Sequence, residues 1–224
     1  MHIAFISDIH ANITALRAVF DRLEDESPDV VVCTGDIVGY GPSPADCVEL
    51  VREQFDVVVA GNHDRTVETP ELYAGHATAV PGLEHAAAAL SDDQLRWLRN
   101  LPDQAIVEDT AVAVTHSHPN PDNQGQYVYP DSFTQVANQT DAEVLVLGHT
   151  HVQGTDETDS TIVVNPGSVG QPRDCDPKAA FALLDTYTQS VDLCRVDYDI
   201  DAVRTAVKEA GLPEQTWRRL QDGT

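Results

Sequence analysis

Five short apolar runs in this chain each end in a loop that carries aspartate, asparagine or histidine, and that recurrence limits the fold more than any other feature. Residues 3–6 lead into Asp8-Ile9-His10, residues 30–33 into Gly35-Asp36, and residues 57–60 into Gly61-Asn62-His63-Asp64. Further on, residues 112–115 lead into His116-Ser117-His118, and residues 144–147 into Gly148-His149-Thr150-His151. Between the first three runs lie helical patterns: apolar residues at 13, 16, 19, 20 and 23 predict one helix, and residues 44–54 predict another. A β-α-β-α-β opening of this kind implies parallel strands joined by right-handed crossovers. Loops at the carboxyl ends of parallel strands are where such sheets bind ligands.

The rest of the chain reads differently. Helical patterns cover residues 85–90 and 92–98, the second opened by a capping box of Ser91 and Gln94. Residues 105–107, 112–115, 144–147, 161–164, 180–184 and 191–196 are strand-like, several close enough to pair as hairpins. A helix is expected over residues 200–210, followed by a polar tail. With no linker, repeat or low-complexity segment, residues 1–224 are expected to form one α/β domain, a sandwich of two sheets with helices on its outer faces.

Charge excludes several functions. Thirteen basic residues stand against 37 acidic ones, for a net charge of −24, and only Lys178 and Lys208 are lysines. A duplex nucleic-acid binder needs a basic face to displace counterions, and this chain has none to offer. An anionic membrane surface is disfavoured for the same reason, and no apolar run approaches the ~20 residues that span a bilayer. The N-terminus enters a strand at once, without a basic segment or a small-residue cleavage site, so a cytoplasmic location is expected. Cys33, Cys47, Cys175 and Cys194 form no C-x-x-C pair and read as free thiols. Acid dispersed along the chain with so little lysine resembles proteins of salt-saturated cytoplasm, where self-repulsion is screened; an acidic mesophilic protein is the alternative.

Aspartate, asparagine and histidine together make ligands for transition metals, and residues two apart, as in Asp8/His10 and His149/His151, can point the same way from an extended segment. Each motif alone says little. All five, in order and each at a strand end, point to a metal centre. There is no Walker loop and no G-x-S-x-G elbow, which removes P-loop and serine-hydrolase chemistry.

The ordered set Asp8-x-His10, Gly35-Asp36, Gly61-Asn62-His63-Asp64, His116 and Gly148-His149-x-His151 resembles the calcineurin-like metallophosphoesterase family. The stretches SDIHAN, GDIVGYGPSP, GNHD, GHTH and NPGSVGQPR resemble its small, single-domain prokaryotic branch. The resemblance implies a four-layer αββα sandwich of two mixed sheets and two metals sharing one aspartate. It implies that Asp8, His10 and His151 hold one ion, that Asn62, His116 and His149 hold the other, and that Asp36 bridges them. His63 would lie beside the ions without ligating them. Two positions depart from the family pattern: Ala11 stands where glycine is usual, and His116 is followed by Ser117-His118 rather than glycine, so that His118 competes for the ligand role.

The chemistry agrees with these roles. Two divalent ions roughly 3.5–4 Å apart can share a hydroxide that attacks phosphorus in line with the leaving group. The mixed nitrogen and oxygen donor set suits manganese first, with iron, zinc or nickel as alternatives. His63 is the natural proton donor to the leaving alkoxide, and Asp64 is a candidate to orient or electrostatically tune that imidazole, with a structural role as the equal alternative. Weaker candidates for substrate contact are Asn12, whose other role is to cap the first helix, Tyr40 at the site mouth, and Arg65. Arg173 is a further candidate for a substrate phosphate, although surface pairing with carboxylates is the plainer expectation for both arginines. The expected substrate is a small phosphate ester, a diester first, with a phosphomonoesterase, a protein phosphatase or a dinucleoside-polyphosphate hydrolase as alternatives. Presence of every motif residue argues against a non-catalytic scaffold of the same fold, and oligomeric state stays open.

Overall fold

A computed structural model describes residues 1–224. Two five-stranded mixed sheets face one another. The first contains β1 (His2–Ile6), β2 (Val30–Cys33), β3 (Val57–Val58), β9 (Ala179–Asp185) and β10 (Ser190–Val196), in the order β10-β9-β1-β2-β3. The second contains β4 (Gln104–Ile106), β5 (Val112–Thr115), β6 (Val144–Val146), β7 (Gly154–Glu157) and β8 (Ile162–Asn165), in the order β4-β5-β6-β8-β7. Within each sheet three neighbouring strands run parallel: β1, β2 and β3 in one, and β5, β6 and β8 in the other.

Side-chain alternation explains why the central strands are apolar throughout. On β1, Ile3 and Phe5 point into the space between the sheets, where they meet Val114, Val146 and Val164, while Ala4 and Ile6 face the helices. On β6, Val144 and Val146 face the first sheet, and Leu145 and Leu147 turn outward onto α6 (Phe133–Ala137). Strands covered on both faces show no polar alternation. Outside the first sheet lie α1 (Ile13–Glu26), α2 (Pro44–Gln54), α4 (Ala79–Ala89) and α5 (Asp92–Arg99). The layers therefore run helix, sheet, sheet, helix, the expected four-layer sandwich. No helix is long and apolar enough to cross a membrane.

Three differences from expectation have physical causes. The edge strand β7 reads Gly-Thr-Asp-Glu, and half its side chains face solvent, so no apolar pattern marks it. The helix expected over residues 85–90 begins earlier, at Ala79, because Pro81 is tolerated in a first turn and Gly82 lets the helix press against Tyr40, whose main-chain nitrogen lies 2.2 Å from where a Cβ would sit. The polar tail is folded. Beyond α7 (Ile200–Glu209), α8 (Gln215–Arg218) and a 3₁₀ turn over Arg219–Gln221 bury Trp217 and Leu220 against Val203 and Val207.

Candidate active site

The five loops converge at one end of the sandwich. Asp8, His10, Ala11, Asp36, Tyr40, His149 and His151 all have positive φ, between 47° and 69°. Each such residue costs about 1–3 kcal/mol, and seven at one site is the pattern of strain held in place by its surroundings. What holds them is a lattice of main-chain bonds: Asp8 N–H donates to Gly35 O (3.0 Å), His10 N–H to Asp36 O (2.9 Å) and Ala11 N–H to Ile37 O (2.9 Å). Ala11, at φ 52° and fully buried, occupies a conformation that glycine adopts freely, which accounts for the glycine usual there. Gly61 is required by contact: a Cβ there would stand 2.1 Å from Asp36 Oδ1.

Two sets of ligand atoms result. Asp8, His10, Asp36 and His151 form one, and Asp36, His116 and His149 form the other, with the donor atoms of each set within 4.8 Å of one another. Asp36 is common to both: its Oδ2 lies 3.7 Å from His10 Nε2 and 3.5 Å from His116 Nε2. Asn62 Oδ1 sits 3.0 Å from His116 Nε2. Of 37 acidic residues, only Asp8, Asp36 and Asp64 are buried, and all three belong to these loops.

The imidazoles are oriented from behind. His10 Nδ1 donates to Val38 O, His116 Nδ1 to Thr34 O, His151 Nδ1 to Gln171 O and His149 Nε2 to Gly125 O, at 2.6–3.1 Å. A carbonyl can only accept, so in the neutral imidazole each bond fixes the tautomer and leaves the opposite ring nitrogen with a lone pair facing the site. The consequence is a set of acceptors crowded together: His10 Nε2 and His151 Nε2 are 3.0 Å apart, and Asp8 Oδ1 is buried without a donor. Its other oxygen is satisfied by Ser7 Oγ–H (2.6 Å) and His149 N–H (3.0 Å). Converging lone pairs and an orphaned carboxylate oxygen are what a divalent cation would neutralise, so these residues fit a metal centre.

The electrostatics say the same. Burial alone would raise Asp8, yet the His151 imidazole beside it holds its carboxyl well below the usual carboxylate range. Burial likewise opposes ionisation of Asp36, and His116 and His63 overcome it. Burial depresses His116, but the charge of Asp36 outweighs it and pushes the imidazole up to about 10. His149 and His63 lack so close a carboxylate, and burial lowers each to about 4. Of the five imidazoles only His116 is drawn toward the charged form, while burial lowers His10, His63, His149 and His151.

His63 lies beside both sets. Its ring packs between Tyr40 (4.7 Å), Tyr73 (4.9 Å) and His10 (4.9 Å), its main-chain N–H donates to Asp36 Oδ1 (2.8 Å), and its Nδ1 is buried without a partner. Asp64 does not orient it. The Asp64 carboxylate instead accepts the main-chain N–H groups of Ile37 (2.9 Å), Val38 (3.2 Å) and Gly61 (2.9 Å), tying the second loop to the third. Three buried donors depend on it, so Asp64→Ala is expected to cost about 3–5 kcal/mol. For a chain of this size that is a fall in Tm of roughly 10 °C or more, measurable by thermal denaturation.

Two of the weaker candidates are committed elsewhere. Asn12 Oδ1 caps α1 through Ala15 N–H (3.1 Å), and its Nδ2 donates to Gly170 O (3.1 Å). Arg65 forms an ion pair with Asp103 (2.7 Å) and donates to the carbonyls of Leu98, Arg99 and Leu101, so all three guanidinium nitrogens are engaged within the protein. Tyr40 does line the cleft over the ligand cluster. His118 turns away from the cluster and accepts Asn120 N–H at its Nδ1 (3.1 Å). The cleft encloses about 530 Å³ and is also lined by Tyr73, Tyr127, Arg173 and Arg219. Tyr127 stacks on His149 at 4.2 Å. Neither spacing nor motif marks Tyr73, Tyr127 or Arg219 in the sequence.

Residues 1–189 match the calcineurin-like phosphoesterase superfamily domain. An uncharacterised protein of Methanocaldococcus jannaschii is 33% identical, over 97% of this chain and 96% of its own length. Phosphodiesterase YfcE of Escherichia coli is 26% identical, over 85% of this chain and 91% of its own. The crystal structure of a metallophosphoesterase from Sphaerobacter thermophilus superposes with a TM-score of 0.86 at 32% identity, covering 100% of this chain and 99% of that one. The loops that gather aspartate and histidine here are thus part of a matched region spanning most of the sequence, and the chain belongs to the calcineurin-like phosphoesterase superfamily of hydrolases.

Proposed function

We propose that the site holds two divalent transition-metal ions and hydrolyses small phosphodiesters. The observation that carries this reading is the place of Asp36, whose Oδ2 lies between two separate histidine sets, as a bridging carboxylate must. Asp8, His10 and His151 complete one ion's ligands, and Asn62, His116 and His149 the other's. The donors suit manganese first, then iron, zinc or nickel. Ions held there supply Lewis acidity: they make a water nucleophilic near neutral pH and neutralise the phosphoryl oxygens.

The chain's own residues do the rest. Main-chain carbonyls behind four imidazoles keep the ligand atoms aimed inward without rearrangement. His63, buried in the cleft wall and unpaired at Nδ1, donates the proton that the leaving alkoxide needs, once an anionic ester beside it restores the protonated form that burial disfavours. Tyr40 and Tyr73 wall the ring on both sides and limit its movement. A diester is favoured over a monoester by the likeness to phosphodiesterase YfcE. A panel of phosphodiesters, phosphomonoesters and dinucleoside polyphosphates, assayed with manganese, nickel, zinc and iron, tests this reading. Turnover of none of them with any metal would reject it.

A cytoplasmic location in a salt-rich cell fits the surface. All but three of the 37 acids are at least partly exposed. An anionic substrate is repelled over ~30 Å at 0.01 M salt but only ~3 Å at 1 M, and the folded chain repels itself less as salt rises. Stability and kcat/KM are both expected to increase between 0.1 M and 2 M KCl. Equal Tm and equal kcat/KM at the two ends would remove the halophilic reading.

A further inference from the structure

In a chain with nearly three acids for each base, cations should be paired, and most are. Nine of the 13 basic side chains lie within 4.0 Å of a carboxylate. Of the other four, Arg17 is on the exposed face of α1, and Lys208 lies over the Trp217 ring. The remaining two, Arg173 and Arg219, line the same cleft as Asp36, His63 and His151.

Each arrives there by a built route. Arg173 N–H donates to His151 O (3.1 Å), so its main chain is anchored against a ligand loop. Its Nε and one terminal nitrogen donate to Gln171 Oε1 (3.2 and 2.7 Å), and the guanidinium lies 5.9 Å from the Tyr40 ring centre. No carboxylate reaches the other terminal nitrogen, whose polar neighbour is the Tyr40 hydroxyl. Arg219 is carried by the 3₁₀ turn that Trp217 and Leu220 pin against α7. Its Nε donates to the main-chain oxygen of Thr224, and neither terminal nitrogen meets a protein acceptor. Asp222, the acid of that segment, accepts Thr224 Oγ1–H (2.9 Å) instead of pairing with it. Arg219 lies beyond residue 189, where the superfamily match ends.

Two guanidinium groups held side by side in a half-buried cleft repel one another, and burial with the neighbouring Arg173 lowers Arg219 from its ordinary value. Neither has a side-chain carboxylate partner in a surface so rich in carboxylates, and a visiting anion would meet the donors they leave free. A volume of about 530 Å³ leaves room beside the ligand cluster for more than a single phosphoryl group.

We propose that Arg173 and Arg219 form a clamp for a second anionic group on the substrate, a phosphate adjacent to the one being hydrolysed. The clamp rests on the phosphoesterase reading above and narrows it, to esters that carry more than one phosphate. Guanidinium forks suit phosphate because two parallel N–H donors match two oxygens.

Calorimetric titration of the metal-loaded protein with inorganic pyrophosphate and with inorganic phosphate, at one salt concentration, tests it. Wild type is expected to prefer pyrophosphate. Arg219→Ala is expected to weaken pyrophosphate by about 10- to 100-fold and phosphate by far less, with Arg219→Lys intermediate because it keeps charge but loses the fork. Thermal melts of both variants accompany the titration, and Arg219→Lys carries the test if the alanine variant is unstable. A parallel assay compares kcat/KM on a dinucleoside tetraphosphate and on bis(p-nitrophenyl) phosphate, where the loss is expected to be at least tenfold larger on the tetraphosphate. Equal weakening of both anions, or pyrophosphate affinity that ignores Arg219, would overturn the clamp. If the wild type turns over no ester yet shows an Arg219-dependent preference for pyrophosphate, the hydrolase reading fails and the clamp stands.

Discussion

Asp36→Asn is expected to lose bound metal and hydrolysis together. The substitution keeps the shape of the side chain, and its Oδ1 can still accept His63 N–H, so the loop should stay folded. What disappears is the one negative charge that both histidine sets share. An amide at that position can also turn N–H groups toward His10 Nε2 and His116 Nε2, satisfying the lone pairs an ion would have taken. Changing groups that merely support a ligand typically costs 10–100-fold in metal affinity or activity. A bridging ligand should cost more, roughly 10³-fold or beyond in kcat/KM. Metal analysis after gel filtration, with the melting temperature of chelated wild type and variant compared, checks both parts. Two tightly held ions in Asp36→Asn would remove the bridge assignment.

For His63→Ala the expected result is different: metal kept, rate lost, and the loss dependent on the leaving group. None of the proposed ligand atoms belongs to His63, and its contact with Asp36 is through the main-chain N–H, which alanine retains. Removing a general acid costs about 10²–10⁴-fold. An alkyl ester, whose alkoxide must be protonated, should bear the whole loss; p-nitrophenolate leaves without help and should bear little. Stability will also fall, because the ring fills space against Gly39, Tyr40 and Tyr73. Metal content, Tm and both rates are therefore measured on one preparation. Loss of metal would make His63 a ligand. An equal rate loss on both esters would make it a stabiliser of phosphoryl charge rather than a proton donor.

The layers and the converging loops were legible in the sequence because they rest on repeated signals. Apolar strands ended five times in the same residue types, and the two helices between the first strands showed their spacing. Features that depend on a single contact were not legible. Asp64 stands next to His63 in sequence, which suggests an orienting carboxylate, yet α3 (Asn62–Thr66) turns the two side chains apart and Asp64 becomes a capping residue for neighbouring main chain. Arg65 and Arg173 look alike as isolated arginines. Only the fold shows that Asp103 occupies the first and that no carboxylate reaches the second. Arg219 sits in a stretch too short for any periodicity, within what reads in the sequence as a polar tail.

The ligand cluster draws on both sheets: Asp8, Asp36 and Asn62 follow β1, β2 and β3, while His116, His149 and His151 follow β5 and β6. Asp8 and His149 are in direct contact although 141 positions separate them. A folding intermediate with only one sheet assembled would own half a coordination sphere and hold ions weakly. Tight capture of the proposed ions would therefore wait for both sheets to dock, and ions once held would oppose their separation. On the proposed metal reading, folding and ion loading would be linked, since ions held across the two sheets would stabilise the completed fold.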